Sequence, residues 1–299
     1  MSIAEVLREK VVSDLFRIKT MQECWPLWHE EIVASCNGNL TGGSLIRNLG
    51  PALGDVFKST NNAGRNQASQ SAGGAAWEAL VCWYLNLCLI GTRAVVVKKK
   101  SHLPTPISEA LTVTYGNVKT NTESDLVAII FPRNGDLDGF NLKYTGRAKV
   151  ELDQYLENII GQLEVCVIQC KTNWNDNAQI PMLWDMIYSA TGFRADRASV
   201  GVNGNSVRDV QRFSYAFVTV PSNGVSKYNR NSAPVLRLSN LSGGNFWGHP
   251  ALNGVAGSVA DIFPKNFSSA LQGLGRTWPI HLSNELLLLP GKYSYFNLQ

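Results

Sequence analysis

The run Val165-Cys166-Val167-Ile168-Gln169-Cys170-Lys171 constrains this chain more than any other stretch. Its apolar, β-branched first part predicts a buried strand. Successive strand side chains point to opposite faces, so Gln169 and Lys171, two residues apart, share one. A lysine that ends a buried strand is costly unless an anionic group meets it. A candidate partner heads an upstream run, Asp125-Leu126-Val127-Ala128-Ile129-Ile130, which predicts a second buried strand. Together the two runs predict an acid, an amide and a lysine converging where strands end.

The rest of the pattern predicts an α/β chain with a central mixed sheet flanked by helices. Apolar residues at helical spacing from Ile3 to Ile18 give a first helix, and Trp25 to Ala34 gives a second. Asn37 to Gly43 and Asn61 to Gln70 are polar breaks. A strong helix starts near Ser69 or Ser71 and stops at Gly91, with Glu78 as the lone acid in an apolar segment. Strands are predicted at Ala94–Val97, Leu111–Tyr115, Leu126–Phe131 and Phe213–Val220, with an outer strand at Val235–Leu238. Helices are predicted at Val150–Leu163, at Ile180–Ala190 and within Val259–Leu274, and Ser239 to Gly257 reads as a glycine-rich loop. No repeat or linker divides the chain. The expectation is one domain: a helical N-terminal arm over about 1–65, a core over about 66–221 and a C-terminal elaboration over about 222–299.

Bulk properties exclude more than they identify. The chain has 299 residues, 44% of them hydrophobic and only 17% charged, enough for a substantial core. A net charge of +4 is compatible with a polyanionic partner, but a binding surface must come from local clustering. Lys98-Lys99-Lys100 is the only run of three like charges; it reads as a solvated strand end or as a phosphate contact. The six cysteines lack zinc-ribbon spacing, and reduced thiols of a cytoplasmic protein are expected. No apolar run reaches the roughly eighteen residues of a membrane span, so no membrane association is expected. His29, His102, His249 and His281 are scattered without metal-ligand spacing, which argues against a histidine metal centre. No Gly-Lys-Ser/Thr follows Thr41-Gly42-Gly43-Ser44, so that segment is a turn and not a phosphate loop.

Glu78 on a helix, Asp125 at a strand start (Glu123-Ser124-Asp125) and Gln169-Cys170-Lys171 at a strand end form an ordered set. In that order and setting they resemble the PD-(D/E)XK nuclease superfamily, restriction endonucleases in particular, over roughly residues 70 to 220. The resemblance implies a restriction-endonuclease-like core and hydrolysis of DNA phosphodiester bonds to 5′-phosphate ends with Mg²⁺, Mn²⁺ being a possible substitute. Position 169 departs from the pattern: Gln stands where Asp or Glu is usual, and an amide brings no negative charge to a metal. Glu78 is the better source of that charge, because Glu164 is more than about a dozen ångströms away at ~3.3 Å per residue. Magnesium prefers oxygen ligands, typically one or two carboxylates plus substrate phosphate and water. The implied ligands are Asp125, the Gln169 amide oxygen, the Cys170 main-chain carbonyl and Glu78. Lys171 is expected to position the attacking water and to stabilise charge on the phosphoryl oxygens. A structural ion pair between Lys171 and Asp125 is the plainer alternative.

Two segments are candidate DNA readers. Asn173, Asn175, Asn177 and Gln179 offer amides that can bond to base edges or phosphates, with Trp174 beside them to wedge or pack. A turn with a helix cap explains the same residues. Asn203, Asn205, Arg208 and Arg212 form a second candidate region on residue type alone. The function expected is a type II restriction endonuclease acting on double-stranded DNA as a homodimer, since cutting both strands of a palindrome suits two-fold symmetry. The alternatives are a repair or modification-dependent nuclease of the same superfamily, and a non-catalytic DNA-binding or interaction protein on a degenerate nuclease fold.

Overall fold

Helix α1 (Ile3–Leu15) begins where the Ser2 side chain accepts a hydrogen bond from the Glu5 backbone N–H, and it buries Ile3, Leu7, Val11 and Leu15 along one stripe. Full burial of one such side chain is worth roughly 1.5–3 kcal/mol, so the stripe fastens the helix to the body of the protein. Arg8, fully buried, pairs with Glu5 and donates to the Ala94 carbonyl, while Glu5 accepts from Gly91 N at 2.8 Å. The predicted arm is packed: α1, α2 (Lys19–Ser35) and α4 (Gly50–Ser59) share one buried cluster with residues as distant as Phe296, and α3 (Gly42–Ser44) lies against a C-terminal helix, where Gly42 N donates to Ser283 Oγ at 2.9 Å. A π-helical turn, Leu45–Leu49, joins α3 to α4. This computed structural model describes residues 2–60, 70–98, 100–115, 117–120, 124–133, 146–172, 198–220, 231–232, 235–236, 244–248 and 257–298.

At the centre lies α5 (Gln70–Cys88), which is buried nearly all round through Trp77, Leu80, Val81, Trp83, Tyr84, Leu85 and Leu87. A helix apolar on every side has to sit between layers, and α5 packs on the sheet with one face and on α1, α2 and α4 with another. It ends before Gly91, whose φ of +72° and contact with His281 leave no room for a Cβ. Two side chains fix it in place. Trp77 Nε1 donates to the Val218 carbonyl at 3.3 Å. The buried Asn86 donates from Nδ2 to the Val96 carbonyl (2.7 Å) and accepts at Oδ1 from Val96 N (3.1 Å).

The main sheet has the order β1 (Ala94–Val97), β4 (Leu126–Ile130), β5 (Glu164–Lys171), β7 (Arg212–Thr219), β8 (Gly244–Gly248). β1, β4 and β5 run antiparallel, with Val97 opposite Val127 and Leu126 opposite Ile168. β7 lies parallel to β5, with Glu164 opposite Arg212 and Lys171 opposite Thr219, and β8 is parallel to β7. The architecture is thus α/β with a mixed sheet flanked by helices. Short α6 (Thr105–Ala110) precedes a separate antiparallel sheet of β3 (Val118–Thr120), β2 (Val113–Tyr115) and β6 (Ala198–Val200). Helix α7 (Gly146–Ile159) leads through a 3₁₀ turn into β5. No described helix is long and apolar enough to cross a membrane.

The strand predicted at Leu111–Tyr115 is present as Val113–Tyr115 and belongs to the small sheet, because its backbone pairs with β3 and β6. Two expectations are corrected. Val235 and Leu236, the described part of the outer strand predicted at Val235–Leu238, are helical, and the outer strand described is Gly244–Gly248, inside the predicted loop. Backbone pairing with β7 makes that strand, which side-chain alternation does not announce. Gly42 opens a helical turn capped by Thr41 instead of closing a loop. The helix predicted at Ile180–Ala190 lies outside the described residues.

Candidate active site

The ladder brings four chain segments to one end of the main sheet. Lys98 follows β1, Asp125 precedes β4, and Gln169 to Lys171 close β5, all beside the end of β7 at Thr219. Asp125 is one step beyond the Leu126–Ile168 pair and so falls across from Gln169. Its Oδ2 accepts from Gln169 Nε2 at 3.1 Å and from Cys170 N at 2.8 Å, and Lys171 Nζ stands 3.8 Å away. Gln169 is buried, while Asp125 and Lys171 keep partial access to solvent. The predicted acid, amide and lysine are therefore brought together.

Glu78, on α5, pairs with Lys98 next to this group. Burial pushes its carboxyl above the usual glutamate range; Lys98 opposes the rise, Asp125 adds to it, and Lys171 opposes it more weakly. Three of the four sequence-predicted catalytic residues are thus in direct contact, and the fourth is electrostatically coupled to them. Sequence reasoning missed the role of Asn86. Its double grip on Val96 sets α5 against β1, and so sets Glu78 against Lys98, two residues beyond Val96. A lone buried amide in an apolar helix is the signal that could have found it.

The Cys170 thiol plays no chemical part. Burial raises its pKa well above that of an ordinary thiol, and Asp125 and Glu78 raise it further. Its backbone matters more. In a strand the N–H and C=O of one residue point to the same side. Cys170 N–H goes to Asp125, so its carbonyl faces that side too, whereas the Lys171 carbonyl is turned to Val220 N on the other side. The two carboxylates, the Gln169 amide oxygen and this carbonyl are all oxygen donors, the type a hard divalent cation takes. Among the described residues no group of three or more His, Cys, Asp or Glu is arranged to hold a metal ion.

The predicted DNA-contacting residues divide sharply. Lys98 is committed to Glu78. Lys100 is exposed on a 3₁₀ turn, Lys100–His102. Lys99, Asn173, Trp174, Asn175, Asn177 and Gln179 lie outside the described residues. Arg212 sits at the Glu164 end of β5, about 23 Å from Lys171 at ~3.3 Å per residue, and Asn203, Asn205 and Arg208 lie in the segment that leads to it. There Asn203 and Asn205 each donate to one oxygen of Glu109 at 2.7 Å, and Arg212 lies 3.5 Å from Glu164 and donates to the Lys265 carbonyl at 3.0 Å. These three bind structure, and with the exposed Arg208 they are not brought to the site.

No protein-family model matches the chain, and a search of curated proteins finds no similar sequence.

Proposed function

We propose that this chain is a Mg²⁺-dependent endodeoxyribonuclease of the PD-(D/E)XK kind, and within that class a type II restriction endonuclease acting as a homodimer on double-stranded DNA. The observation that carries the reading is the convergence of Gln169, the Cys170 amide and Lys171 on Asp125 at a strand end. The frame supports it as well. A glutamate-bearing helix packs on three antiparallel strands joined by a parallel one, the setting in which a restriction-endonuclease-like core would place these residues.

Asp125 would be the main ligand for a divalent cation, helped by the Gln169 amide oxygen, the Cys170 carbonyl and Glu78. When bound, the cation polarises the scissile phosphodiester and favours ionisation of water. Lys171 does the remaining work. Its ammonium donates to the attacking water, orients it, and offsets negative charge developing on the phosphoryl oxygens. Asp125 keeps that ammonium at the strand end.

Incubation of plasmid DNA with the protein and Mg²⁺ is the test. Discrete fragments with 5′-phosphate ends are expected. General degradation or nicking would move the reading to a repair or modification-dependent nuclease. DNA binding without cleavage, in Mg²⁺ or Mn²⁺, would favour a second reading, a DNA-binding protein on a degenerate nuclease fold. Two observations favour that second reading: Gln169 brings no charge, and Lys98 neutralises Glu78.

A further inference from the structure

Among the described residues the charges at this end of the sheet balance. Glu78 and Asp125 are two acids, Lys98 and Lys171 two lysines, and each acid has a lysine in ion-pair range. The Lys98 pair is the more firmly built of the two. Its lysine side chain is 13% exposed, against 25% for Lys171. Asn86 holds Val96 by both backbone groups, which keeps Lys98 over α5. This is not an exposed pair of the kind that forms and breaks at little cost.

A divalent cation entering a locally neutral cluster gains little from net attraction, and it must also displace an ammonium from the Glu78 carboxylate. DNA supplies what is missing. Each backbone phosphate brings one negative charge, and lysine is a point-charge partner for it. We infer that Lys98 is a positioning residue that locks Glu78 in the DNA-free protein and passes to a DNA phosphate on binding. The exchange frees one carboxylate and adds one anion, so DNA and the divalent cation bind cooperatively. By linkage, each raises the affinity for the other by the same factor. The inference rests on reading this sheet end as the metal-dependent nuclease site, and it adds the regulation of that site: metal is taken up in company with the phosphodiester backbone.

The test is Mn²⁺ uptake by the DNA-free protein, followed through the electron paramagnetic resonance signal of the free ion, with melting curves to establish that each variant is folded. Lys98→Met should bind Mn²⁺ about tenfold or more tighter than wild type, the scale of one close charge interaction. Lys100→Met removes the same charge from an exposed turn nearby and should match wild type. The double variant Glu78→Gln/Lys98→Met should gain nothing over Glu78→Gln, because there is no carboxylate left to free. In gel-shift titrations with Ca²⁺ and a mixed-sequence duplex, wild type should gain more DNA affinity from the ion than Lys98→Met does. Equal Mn²⁺ uptake by wild type and Lys98→Met, including uptake by neither, would overturn the lock even if plasmid is cut. Absence of cleavage with the Mn²⁺ pattern intact would overturn the nuclease reading and leave the lock standing.

Discussion

The two ends of β5 carry the same kinds of residue and use them differently. At the Glu164 end, Arg212 faces Glu164 at 3.5 Å and also binds the Lys265 carbonyl, while Asn203 and Asn205 divide the two oxygens of Glu109 between them. The partners there are spread over Glu164, Lys265 and Glu109, and the bonds tie one segment to another. At the Lys171 end, one carboxylate oxygen of Asp125 is met by an amide side chain, a backbone N–H and an ammonium. The acid beside it, Glu78, is held in an environment that disfavours its charge. Residue type does not separate the two ends. Crowding does: the Glu164 end distributes its partners, whereas the Lys171 end concentrates them on one carboxylate oxygen.

The widest contrast comes from deleting the charge at each end. Lys171→Ala or Asp125→Ala should cut plasmid cleavage by on the order of 10²–10³ or more, the scale for losing one group that stabilises a developing charge. Both variants should stay folded and bind DNA. Arg212→Ala should leave cleavage at the wild-type level and cost at most about 1 kcal/mol of stability, since its pair with Glu164 is partly exposed. Comparable cleavage by Lys171→Ala and Arg212→Ala would erase the distinction between the ends. Parallel cleavage assays and melting curves decide it.

Position 169 sharpens the comparison further. Gln169→Glu removes the N–H that Asp125 now accepts and sets a second carboxylate against it. In a buried position that should destabilise the metal-free protein by about 1–3 kcal/mol. Added Mg²⁺ should recover more melting temperature for the variant than for wild type, because a second anionic ligand binds the ion more tightly. If Mg²⁺ stabilises both proteins equally, Gln169 does not face the ion.

A smaller and pH-dependent effect belongs to Glu78. Burial raises its pKa in the folded protein, Lys98 opposes the rise, and Asp125 adds to it. For a carboxyl shifted upward, the native state binds the proton more tightly than the unfolded chain does. Its contribution to stability is therefore full below the ordinary glutamate range and is lost as pH rises through the raised value. Glu78→Gln should lack that loss when melting temperature is followed against pH. Mn²⁺ uptake by wild type should increase over the same window, as the carboxylate ionises, and be flatter in the variant.

How far all this could be read from the sequence depends on whether a signal is local. Asp125 and Lys171 stood out because a charge at the end of an apolar β-branched run has few innocent explanations. The helix of Glu78 and the strands β1, β4, β5 and β7 were legible for the same reason, each being a strongly apolar segment with a clear stop. Lys98 was legible only as one of three lysines. Its partner lies on a different element, and their meeting depends on Asn86 gripping Val96. The glycine-containing strand Gly244–Gly248 owes its place to backbone pairing with β7, which leaves no side-chain pattern to read. Pairing between elements is what a one-dimensional reading cannot supply.

Asn203 and Asn205 show the same limit, and they give the last way to probe the comparison. As amides in a polar turn they resembled readers of DNA bases, yet each is spent on Glu109, the final turn of α6, and Asn203 sits at φ +53° in the left-handed region that asparagine tolerates. Together they staple the segment after β6 to the helix before β2. Asn205→Ala should cost about 0.5–1.5 kcal/mol, the net worth of one such hydrogen bond. Asn203→Ala, at a more exposed site, should cost a similar amount or less, part of it from losing the tolerance of positive φ that asparagine has and alanine lacks. Neither should change DNA affinity or its salt dependence, because each amide is already bonded to an oxygen of Glu109. A loss of DNA binding in either variant, with the melting temperature unchanged, would return the Glu164 end to the DNA interface. The two ends would then differ in chemistry but not in partner.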